Sequence, residues 1–280
     1  MPELPEVETI RLQLEKFLSN HTIQNIEILS PKTFPSGKEK IIKGKIISLE
    51  RFGKAIVINL NNHYSLIIHL KMTGQLIYRG PNLVNPPPLS KNVAGLPGKH
   101  TRIIIDLDHN GKLFFNDLRK FGWFKVVKTD ELKSVPFLKN LGPEPLKDLT
   151  PTHFQEILRK SNQKIKLFLL DQKRLSGVGN IYANDALWLA KIDPNRSARF
   201  LTKNESKTLF TAIGQVLNNG LKFAGASDNS FVTATGGEGE YQNHFLVYNQ
   251  KDKPCSRCQT KIKKIKFSSR GTYFCPNCQK

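Results

Sequence analysis

The first residues of the chain carry its clearest candidate for a nucleophile. The sequence opens with MPELPEVE, and removal of Met1 would leave Pro2 with a free secondary amine. An α-amino group titrates near ~8, against ~10.4 for a lysine side chain, so a useful fraction is unprotonated at neutral pH. Attack of this amine on a sugar C1′ would give an iminium, which is cationic without a proton and is a strong electron sink for eliminations.

Two carboxylates accompany this amine. Glu3 is its neighbour and could shuttle protons during the attack, and Glu6 lies within one helical turn. A structural interpretation competes, because apolar residues recur at helical spacing from Val7 to Leu18 and Pro5 suits a first turn. The acids would then only complement the positive end of the helix dipole. Taken alone, the stretch favours this structural interpretation.

The cysteines form the strongest local motif. All four lie in the last 26 residues, as two CxxC pairs separated by 16 residues. The chain opens without a signal-peptide-like apolar segment, so we expect a reducing, cytoplasmic setting in which such pairs bind metal rather than form disulfides. Four thiolates at about 2.3 Å suit tetrahedral Zn²⁺ in a structural site. The predicted ligands of one Zn²⁺ are Cys255, Cys258, Cys275 and Cys278.

The charge of the chain indicates a polyanionic partner. Lys and Arg number 43 against 23 Asp and Glu, which gives a net charge of +20. Residues 251–280 alone hold nine basic residues and one acid, so a zinc hairpin there is suited to binding a DNA backbone. A membrane partner is disfavoured because no amphipathic basic helix or long apolar run occurs. Nothing in the sequence calls for an organic cofactor.

Three further motifs suit nucleic-acid chemistry but are ambiguous alone. The GVGN segment ending at Asn180 could hold a phosphate at a helix N-terminus or could be a tight turn between helices. Lys54 begins a strand and would ordinarily be a solvated charge. A base flipped from duplex DNA leaves a hole, which an apolar wedge and an aromatic side chain can fill while an Arg bonds the orphaned base. Met72, Arg119 and Phe121 fit these roles, although the Met and the Phe could equally be core residues.

The pattern of apolar residues predicts the elements that position these groups. A helix is expected over 5–19, followed by short strands with turn signals, which favour a sandwich. A Pro-rich and Gly-rich segment over 80–99 reads as an exposed loop. Helical periodicity then prevails to about residue 222. Strands are predicted over 22–29, 41–48, 55–60, 65–70, 102–107, 112–116 and 122–127, and helices over 151–160, 164–172, 180–191 and 203–223.

As an ordered set, the motifs resemble the formamidopyrimidine-DNA glycosylase family, the bacterial base-excision enzymes that remove 8-oxoguanine and ring-opened purines. The segments PELPEVET, GVGNIYA and SRGTYFC carry the resemblance, which is collinear from Pro2 to Cys278. It implies an α+β fold in which an N-terminal β-sandwich with flanking helices precedes a helix-two-turn-helix domain and a zinc-finger β-hairpin. It also implies a bifunctional glycosylase and abasic-site lyase, acting on damaged double-stranded DNA by β,δ-elimination from a Schiff base. A monomer in the bacterial cytoplasm, associated with the nucleoid, is expected.

The resemblance assigns roles and boundaries to this chain. It implies a catalytic domain over 1–141, a linker over 142–149, a helix-two-turn-helix domain over 150–245 with a base-capping loop near 224–241, and a zinc finger over 246–280. Arg270 is expected to bind phosphates at the lesion and to assist the second elimination. The implied catalytic residues are Pro2, Glu3, Lys54 and Arg270, with Glu6 as a supporting acid, and the implied DNA-binding residues are His69, Met72, His100, Arg119, Phe121, Lys166 and Asn180.

The chain departs from the family pattern at three places. Lys71 stands where Gly is frequent, Leu118 stands where Pro is common, and the segment from Ala224 lacks the usual Gly-Gly-Ser/Thr opening. The last departure bears on base preference, and Gly236, Gly237 and Gly239 suggest a mobile lid there.

Two alternatives remain at this stage. A non-enzymatic zinc-ribbon protein that binds DNA or RNA would explain the charge, the cysteines and the GVGN turn, but not Pro2, Glu3 or the ordered Met, Arg and Phe. The same scaffold could instead act on oxidised pyrimidines, or on abasic sites only.

Overall fold

The computed structural model describes residues 1–268 and 270–280. Ser269, which belongs to the SRGTYFC segment, lies outside the described residues. The chain forms two compact units, which are described separately. Unit 1 contains residues 1–139 and 221–242, and unit 2 contains residues 140–220 and 243–280.

Unit 1 is built on two antiparallel four-stranded sheets. The strand orders are β1-β6-β7-β5 in one sheet and β2-β3-β4-β8 in the other. The unit contains helix α1 (Leu4–Leu18), strands β1 (Ile23–Ile28), β2 (Ile46–Phe52), β3 (Ala55–Leu60), β4 (Tyr64–His69), β5 (Gly74–Arg79), β6 (Thr101–Leu107), β7 (Lys112–Asp117) and β8 (Trp123–Lys128), and the short helix α2 (Pro136–Lys139).

The largest hydrophobic core of unit 1 contains residues of both sheets and of α1. It includes the aliphatic side chains of alternate strand positions, such as Ile56 and Ile58 of β3 and Ile103 and Ile105 of β6. The intervening residues Ala55 and Val57 of β3 belong to a second apolar cluster, which includes Leu132 and Val135. Both faces of strand β3 therefore pack in apolar clusters, which accounts for the hydrophobic run from Ala55 to Ile58.

Two details of unit 1 differ from the sequence expectations. The strand expected over 41–48 begins only at Ile46 and continues to Phe52, because Lys38–Lys40 forms a 3₁₀ turn and Lys43 adopts a left-handed conformation with φ of 63°. Strand β5 was not predicted separately, since it follows β4 after only four residues. The other predicted strands and helix α1 agree with the structure to within a few residues.

Unit 2 is helical and ends in a β-hairpin. Its helices are α3 (Pro151–Arg159), α4 (Ile165–Leu170), α5 (Asn180–Leu189) and α6 (Lys203–Lys222), the last two residues of which group with unit 1. Strands β9 (Lys263–Phe267) and β10 (Arg270–Phe274) pair antiparallel. The two sheets, the helical region and this hairpin confirm the predicted α+β class. Within the described ranges, no helix has the length and apolarity needed to cross a bilayer.

Candidate functional site

The N-terminal residues are anchored by a buried carboxylate. Pro2 and Glu3 are buried directly before α1, and Glu6 is 1% exposed. One oxygen of Glu6 accepts the Glu3 N–H at 2.7 Å, and the other accepts the Ala226 N–H at 2.9 Å. Glu6 thus fixes both the candidate nucleophile's segment and the start of the 224–241 segment. Gly225 has a φ of 82°, and a Cβ there would lie 2.8 Å from Glu6 Cγ, so glycine is required.

Lys54 lies in the turn between β2 and β3 and is 5% exposed. The turn is possible because Gly53 adopts a φ of 55°. Arg51 stabilises it by donating to the Gly53 carbonyl at 2.9 Å and to Glu8 of α1 at 2.7 Å. Burial raises the pKa of Glu8, but the hydrogen bonds and positive charges of Arg11 and Arg51 together lower it by more. The pKa of Glu8 therefore lies below the usual range. The charged Glu8 therefore anchors the Lys54 turn to α1, the helix that Glu3 directly precedes.

His69 ends β4 beside this turn as a neutral imidazole. Burial lowers its pKa to about 3, and the nearby charges of Lys71 and Lys54 contribute. Its Nδ1 accepts the Lys71 N–H at 2.9 Å, which assigns the proton to Nε2. The ring packs against Phe137 and Trp123, with centroids 5.1 and 5.7 Å away. His69 thus presents one N–H donor and remains uncharged at neutral pH.

The three residues predicted to occupy the space of a flipped base are not core residues. Met72 is half-buried, and Phe121 is 53% exposed. The Arg119 guanidinium lies over the Phe121 ring at 4.9 Å from its centroid. Leu118, beside them, is 58% exposed. The exposed side chains of Leu118 and Phe121, next to the stacked Arg119, disfavour the core interpretation and suit insertion into a base stack.

His100 is the remaining candidate in unit 1. It is half-buried and follows the Pro-rich segment. Burial, Lys99 and Arg102 each lower its pKa. Its carbonyl accepts the Asp117 N–H at 2.8 Å, which connects it to the end of β7.

In unit 2 a buried lysine organises the phosphate-binding candidates. Lys166 is 1% exposed, and its ammonium group donates to Asn184 Oδ1 at 2.9 Å, Thr272 Oγ1 at 2.8 Å and the Gly271 carbonyl at 3.1 Å. Asn180, the first residue of α5, also donates to the Gly271 carbonyl, at 3.2 Å. The contacts bring α4, α5 and the tip of the zinc hairpin together. Arg270, next to Gly271, is exposed.

The four cysteine sulfurs fit a tetrahedral metal. Their sulfur atoms lie within 4.8 Å of one another, and the Cys258–Cys278, Cys258–Cys275 and Cys255–Cys278 separations are 3.3, 3.5 and 3.9 Å. Zn–S bonds of about 2.3 Å in a tetrahedron place sulfurs about 3.8 Å apart, so the arrangement fits Zn²⁺. The Trp188 indole N–H donates to Cys255 Sγ at 3.4 Å, and the Arg257 guanidinium stacks over the Trp188 ring at 3.8 Å. A four-thiolate set leaves no ligand position for a substrate.

Several positioning residues were missed by sequence reasoning. Asn184 accepts from both Lys166 and the Tyr273 N–H, the latter at 2.8 Å, although its spacing of four from Asn180 could have suggested a shared helix face. Asp117, which is fully buried, carried no sequence signal beyond its place in the NDLRKFG segment.

The 224–241 segment is held by side chains of unit 1. Gln75 donates to the Ser230 carbonyl at 2.8 Å, and the Ala234 N–H donates to Gln13 at 2.8 Å. Ser90 of the Pro-rich segment donates to Glu238 at 2.6 Å. These bonds give the segment a defined conformation beside Glu6.

Comparisons with known proteins agree along the whole chain. Three family models match: the formamidopyrimidine-DNA glycosylase N-terminal domain over 1–124, the H2TH domain of the same glycosylases over 141–231, and the zinc finger found in FPG and IleRS over 252–280. The formamidopyrimidine-DNA glycosylase of Pelotomaculum thermopropionicum is 41% identical over 286 residues, which cover 100% of this chain and 99% of the relative.

Two solved structures show the same likeness in three dimensions. Wild-type Lactococcus lactis Fpg bound to DNA containing an oxidised pyrimidine is 35% identical, with a TM-score of 0.87 and complete coverage of both chains. A MutM protein in complex with DNA containing carbocyclic 8-oxo-G is 34% identical, again with a TM-score of 0.87 and complete coverage.

Proposed function

The chain belongs to the formamidopyrimidine-DNA glycosylase family, and we propose that it excises 8-oxoguanine and formamidopyrimidines from duplex DNA and cleaves the resulting abasic site, with Pro2 as nucleophile. The observation that carries the proposal is the full-length family match together with Pro2 and Glu3 buried at the start of α1 and anchored by Glu6. The alternative of a non-enzymatic zinc-ribbon protein leaves this arrangement without a purpose.

The proposed reaction begins after Met1 is removed. The Pro2 nitrogen forms a bond to C1′ of the damaged nucleotide, the glycosidic bond breaks, and the base leaves with a proton. The C1′–O4′ bond then breaks and O4′ takes a proton, which opens the sugar and leaves an iminium between Pro2 and C1′. Loss of the C2′ proton from this iminium breaks the C3′–O bond, and a second elimination breaks the C5′–O bond. The products are a one-nucleotide gap with phosphates at both ends and a sugar fragment that water releases from Pro2.

Glu3 would transfer protons at the sugar, because it is the carboxylate adjacent to Pro2 in the chain. Glu6 accepts two backbone N–H groups, so its role is to position Pro2, Glu3 and the 224–241 segment. Lys54 would bind a lesion phosphate and supply a proton during β-elimination. The turn that holds it is fixed to α1 through Arg51 and Glu8.

Met72 and Phe121 would fill the space left by the flipped base, with Arg119 bonding the orphaned cytosine. The half-buried and exposed surfaces of the two apolar residues support this role. His69 and His100 would donate to backbone oxygens. A neutral His69 with its proton on Nε2 can do so without adding charge.

In unit 2, Asn180 and Arg270 would bind phosphates beside the lesion, and Arg270 would assist the second elimination. Lys166 already donates to three protein oxygens, so its contribution to DNA binding would come through the position of Asn180 and Gly271. The four cysteines would hold one structural Zn²⁺, which fixes the hairpin that carries Arg270. The metal supplies no catalytic step.

A second substrate class is supported by one comparison. The Lactococcus lactis relative was solved with DNA containing an oxidised pyrimidine, so the same scaffold accommodates such DNA. For this chain, oxidised pyrimidines are a secondary substrate class. We also infer a monomer in the bacterial cytoplasm, and the catalytic, helix-two-turn-helix and zinc-finger divisions stated from the sequence.

A nicking assay on a panel of duplexes tests the assignment. The panel contains 8-oxoguanine opposite cytosine, a formamidopyrimidine, an oxidised pyrimidine, a preformed abasic site and undamaged DNA. The wild-type protein should nick the two purine lesions faster than the oxidised pyrimidine, cleave the preformed abasic site and leave undamaged DNA intact. Glu3→Gln should slow base excision by at least about a hundredfold, because general acid-base catalysis contributes that much or more.

Glu15→Gln is the matched control, since Glu15 is an acid of α1, the helix that follows Glu3, and its side chain is partly exposed. It should leave all rates unchanged. Tight binding without nicking of any lesion would return the zinc-ribbon interpretation, and nicking of abasic DNA alone would remove the base assignment.

A further inference from the structure

Asp117 is a fully buried carboxylate that touches both loops carrying the void-filling residues. It ends β7, and its Oδ1 accepts the Thr73 hydroxyl at 2.5 Å and the Arg119 N–H at 3.2 Å. Its Oδ2 accepts the Gly122 N–H at 2.7 Å. Thr73 immediately follows Met72, while Arg119 and Gly122 bracket Phe121. One side chain is therefore bonded to the loop before β5 and to the loop after β7.

Thr73 completes the connection with a second bond of its own. Its Oγ1 donates to Asp117 and accepts the Arg119 N–H at 3.0 Å. The Arg119 amide is thereby shared between the hydroxyl and the carboxylate. A hydroxyl that is donor to one partner and acceptor from another fixes the relative position of both.

The two loops need such restraint because each contains a non-glycine residue in the left-handed region. Lys71 has a φ of 52° and Lys120 a φ of 57°. A residue with a side chain adopts this backbone conformation only at a free-energy cost. The conformation persists only where neighbouring contacts determine it. His69 Nδ1 accepts the backbone N–H of Lys71 and so restrains that residue. Around Lys120 the bonds on both sides, at Arg119 and Gly122, are those made by Asp117 and Thr73.

The backbone of Asp117 also contacts His100, a third DNA-contact candidate. The Asp117 N–H donates to the His100 carbonyl at 2.8 Å, and its carbonyl accepts from Arg102 Nε at 2.9 Å. A buried carboxylate is costly unless its oxygens are hydrogen-bonded, and here a hydroxyl and two amides supply the bonds, none from a cation. The absence of a cation among these donors leaves Asp117 suited to arranging backbone rather than to an ion pair.

We propose that Asp117 and Thr73 are positioning residues that hold the Met72 loop and the Arg119–Phe121 loop in a fixed relation, so that wedge, stacking aromatic and orphan-base contact enter the duplex as one rigid set. The inference rests on the proposed function, because it concerns how that function recognises a flipped base. It predicts that base excision and discrimination of the opposite base both depend on the Thr73 hydroxyl, although this hydroxyl would contact neither the damaged base nor the opposite base.

Four variants test the pair. Thr73→Val removes the hydroxyl at constant shape, Thr73→Ser keeps it, and Asp117→Asn changes the carboxylate. Thr129→Val is the matched control, because Thr129 is also half-buried and its hydroxyl bonds the Ser65 hydroxyl at 2.8 Å in the other sheet. Because Asp117→Asn risks misfolding, the conclusion depends on the Thr73 variants.

The first readout is single-turnover excision of 8-oxoguanine opposite cytosine and opposite adenine. Thr73→Val should slow excision opposite cytosine by roughly tenfold, since small misplacements of positioned groups cost between ten- and a hundredfold. It should also lower the cytosine-to-adenine preference, with a smaller loss on a preformed abasic duplex. Thr73→Ser should restore both values, and Thr129→Val should match the wild type.

The second readout reports insertion without chemistry. A duplex with a tetrahydrofuran abasic analogue opposite pyrrolocytosine should brighten when the wild-type wedge enters, and brighten less with Thr73→Val. Unchanged excision, preference and fluorescence in Thr73→Val would overturn the inference. A wild-type protein that brightens the probe but excises no lesion would instead refute the proposed function and leave the fluorescence comparison decisive for Thr73.

Discussion

The two units hold their DNA-contact candidates with buried charges of opposite sign. In unit 1 the carboxylates of Glu6 and Asp117, 1% and 0% exposed, accept backbone N–H groups of loops. In unit 2 the ammonium group of Lys166, 1% exposed, donates to oxygens, two of them on side chains. A carboxylate can only accept and an ammonium can only donate, so the first fixes backbone N–H groups and the second fixes carbonyl, amide and hydroxyl oxygens.

This difference fits what each unit must present. The loops of unit 1 carry the side chains that we propose enter a base stack, and anchoring their backbone leaves those side chains at the surface. Unit 2 must keep its own donors, such as Asn180, near a hairpin whose shape depends on a metal. We therefore expect unit 2 to be sensitive to loss of metal, whereas acid should act on unit 1 through His69, whose pKa is lowered by burial to about 3.

Metal removal should have the largest effect and should separate the units. Structural Zn²⁺ contributes about 10–16 kcal/mol of apparent binding free energy to small zinc folds. Chelation, or Cys275→Ser, should unfold the hairpin of β9 and β10 and abolish tight DNA binding. Hydrogen exchange should show fast amides over 250–280 and unchanged amides in β3 and β4. Loss of protection in those strands would contradict the separation.

The buried charges themselves should produce the next largest effects. Lys166→Met removes three hydrogen bonds from a charged donor, although Asn184 and Gly271 keep their bonds from Tyr273 and Asn180, and it should cost about 3 kcal/mol. Glu6→Gln keeps one acceptor and should cost about 2 kcal/mol. Exchange should rise over β10 and α5 in the first variant, and near Glu3 and Ala226 in the second. Lys164→Met is the control for Lys166, because that neighbour is exposed. If both variants raised hydrogen exchange equally along the whole chain, the conclusion that Glu6 acts within unit 1 and Lys166 within unit 2 would be refuted.

Acid sensitivity of unit 1 should be smaller and should depend on His69. Its pKa is about 3 when folded, against an ordinary value of 6.5, so between these pH values the unfolded chain binds a proton that the folded chain rejects. Stability is complete above pH 6.5 and falls as the pH falls. Between pH 7 and 5 this group alone should cost about 2 kcal/mol. Urea unfolding at pH 7 and pH 5 should show that the wild type loses about 2 kcal/mol more unfolding free energy than His69→Gln. Equal losses in the two proteins would contradict this assignment.

The smallest expected effect concerns a single phosphate contact. Arg270→Ala should reduce the slope of log affinity against log salt by about 1, because one phosphate contact contributes about 0.9. Lys251→Ala, at an exposed residue of the same segment that lies beside Asp252, is the control and should change the slope less. An unchanged slope for Arg270→Ala would remove its assignment as a phosphate ligand.

Local motifs predicted much of this molecule. The family, the α+β class and the four zinc ligands follow from short segments whose residues are close in sequence, and the structure and comparisons confirm them. The boundaries of α3, α5 and α6 were also predictable, because helical periodicity and terminal residues such as Pro151 and Asn180 are local signals.

Contacts between distant residues could not be predicted in the same way. A lysine in a helix is ordinarily exposed, yet Lys166 is buried because its acceptors arrive from Asn184, Gly271 and Thr272, up to 106 positions away. The bond from Ala226 to Glu6 spans 220 positions, and that from Thr73 to Asp117 spans 44. Residue type gives no information on such pairings, so the positioning residues emerged only from the structure.

The central claim, that the terminal amine of Pro2 attacks the sugar, is tested most directly by borohydride trapping. The mature protein is incubated with a duplex containing one 8-oxoguanine opposite cytosine, reduced, and digested for peptide mapping of the adduct. The expected result is a covalent adduct on the N-terminal peptide, at Pro2, whose yield from the 8-oxoguanine duplex falls in Pro2→Gly. An adduct on a lysine such as Lys54, or tight binding with no adduct on this or an abasic duplex, would contradict the account.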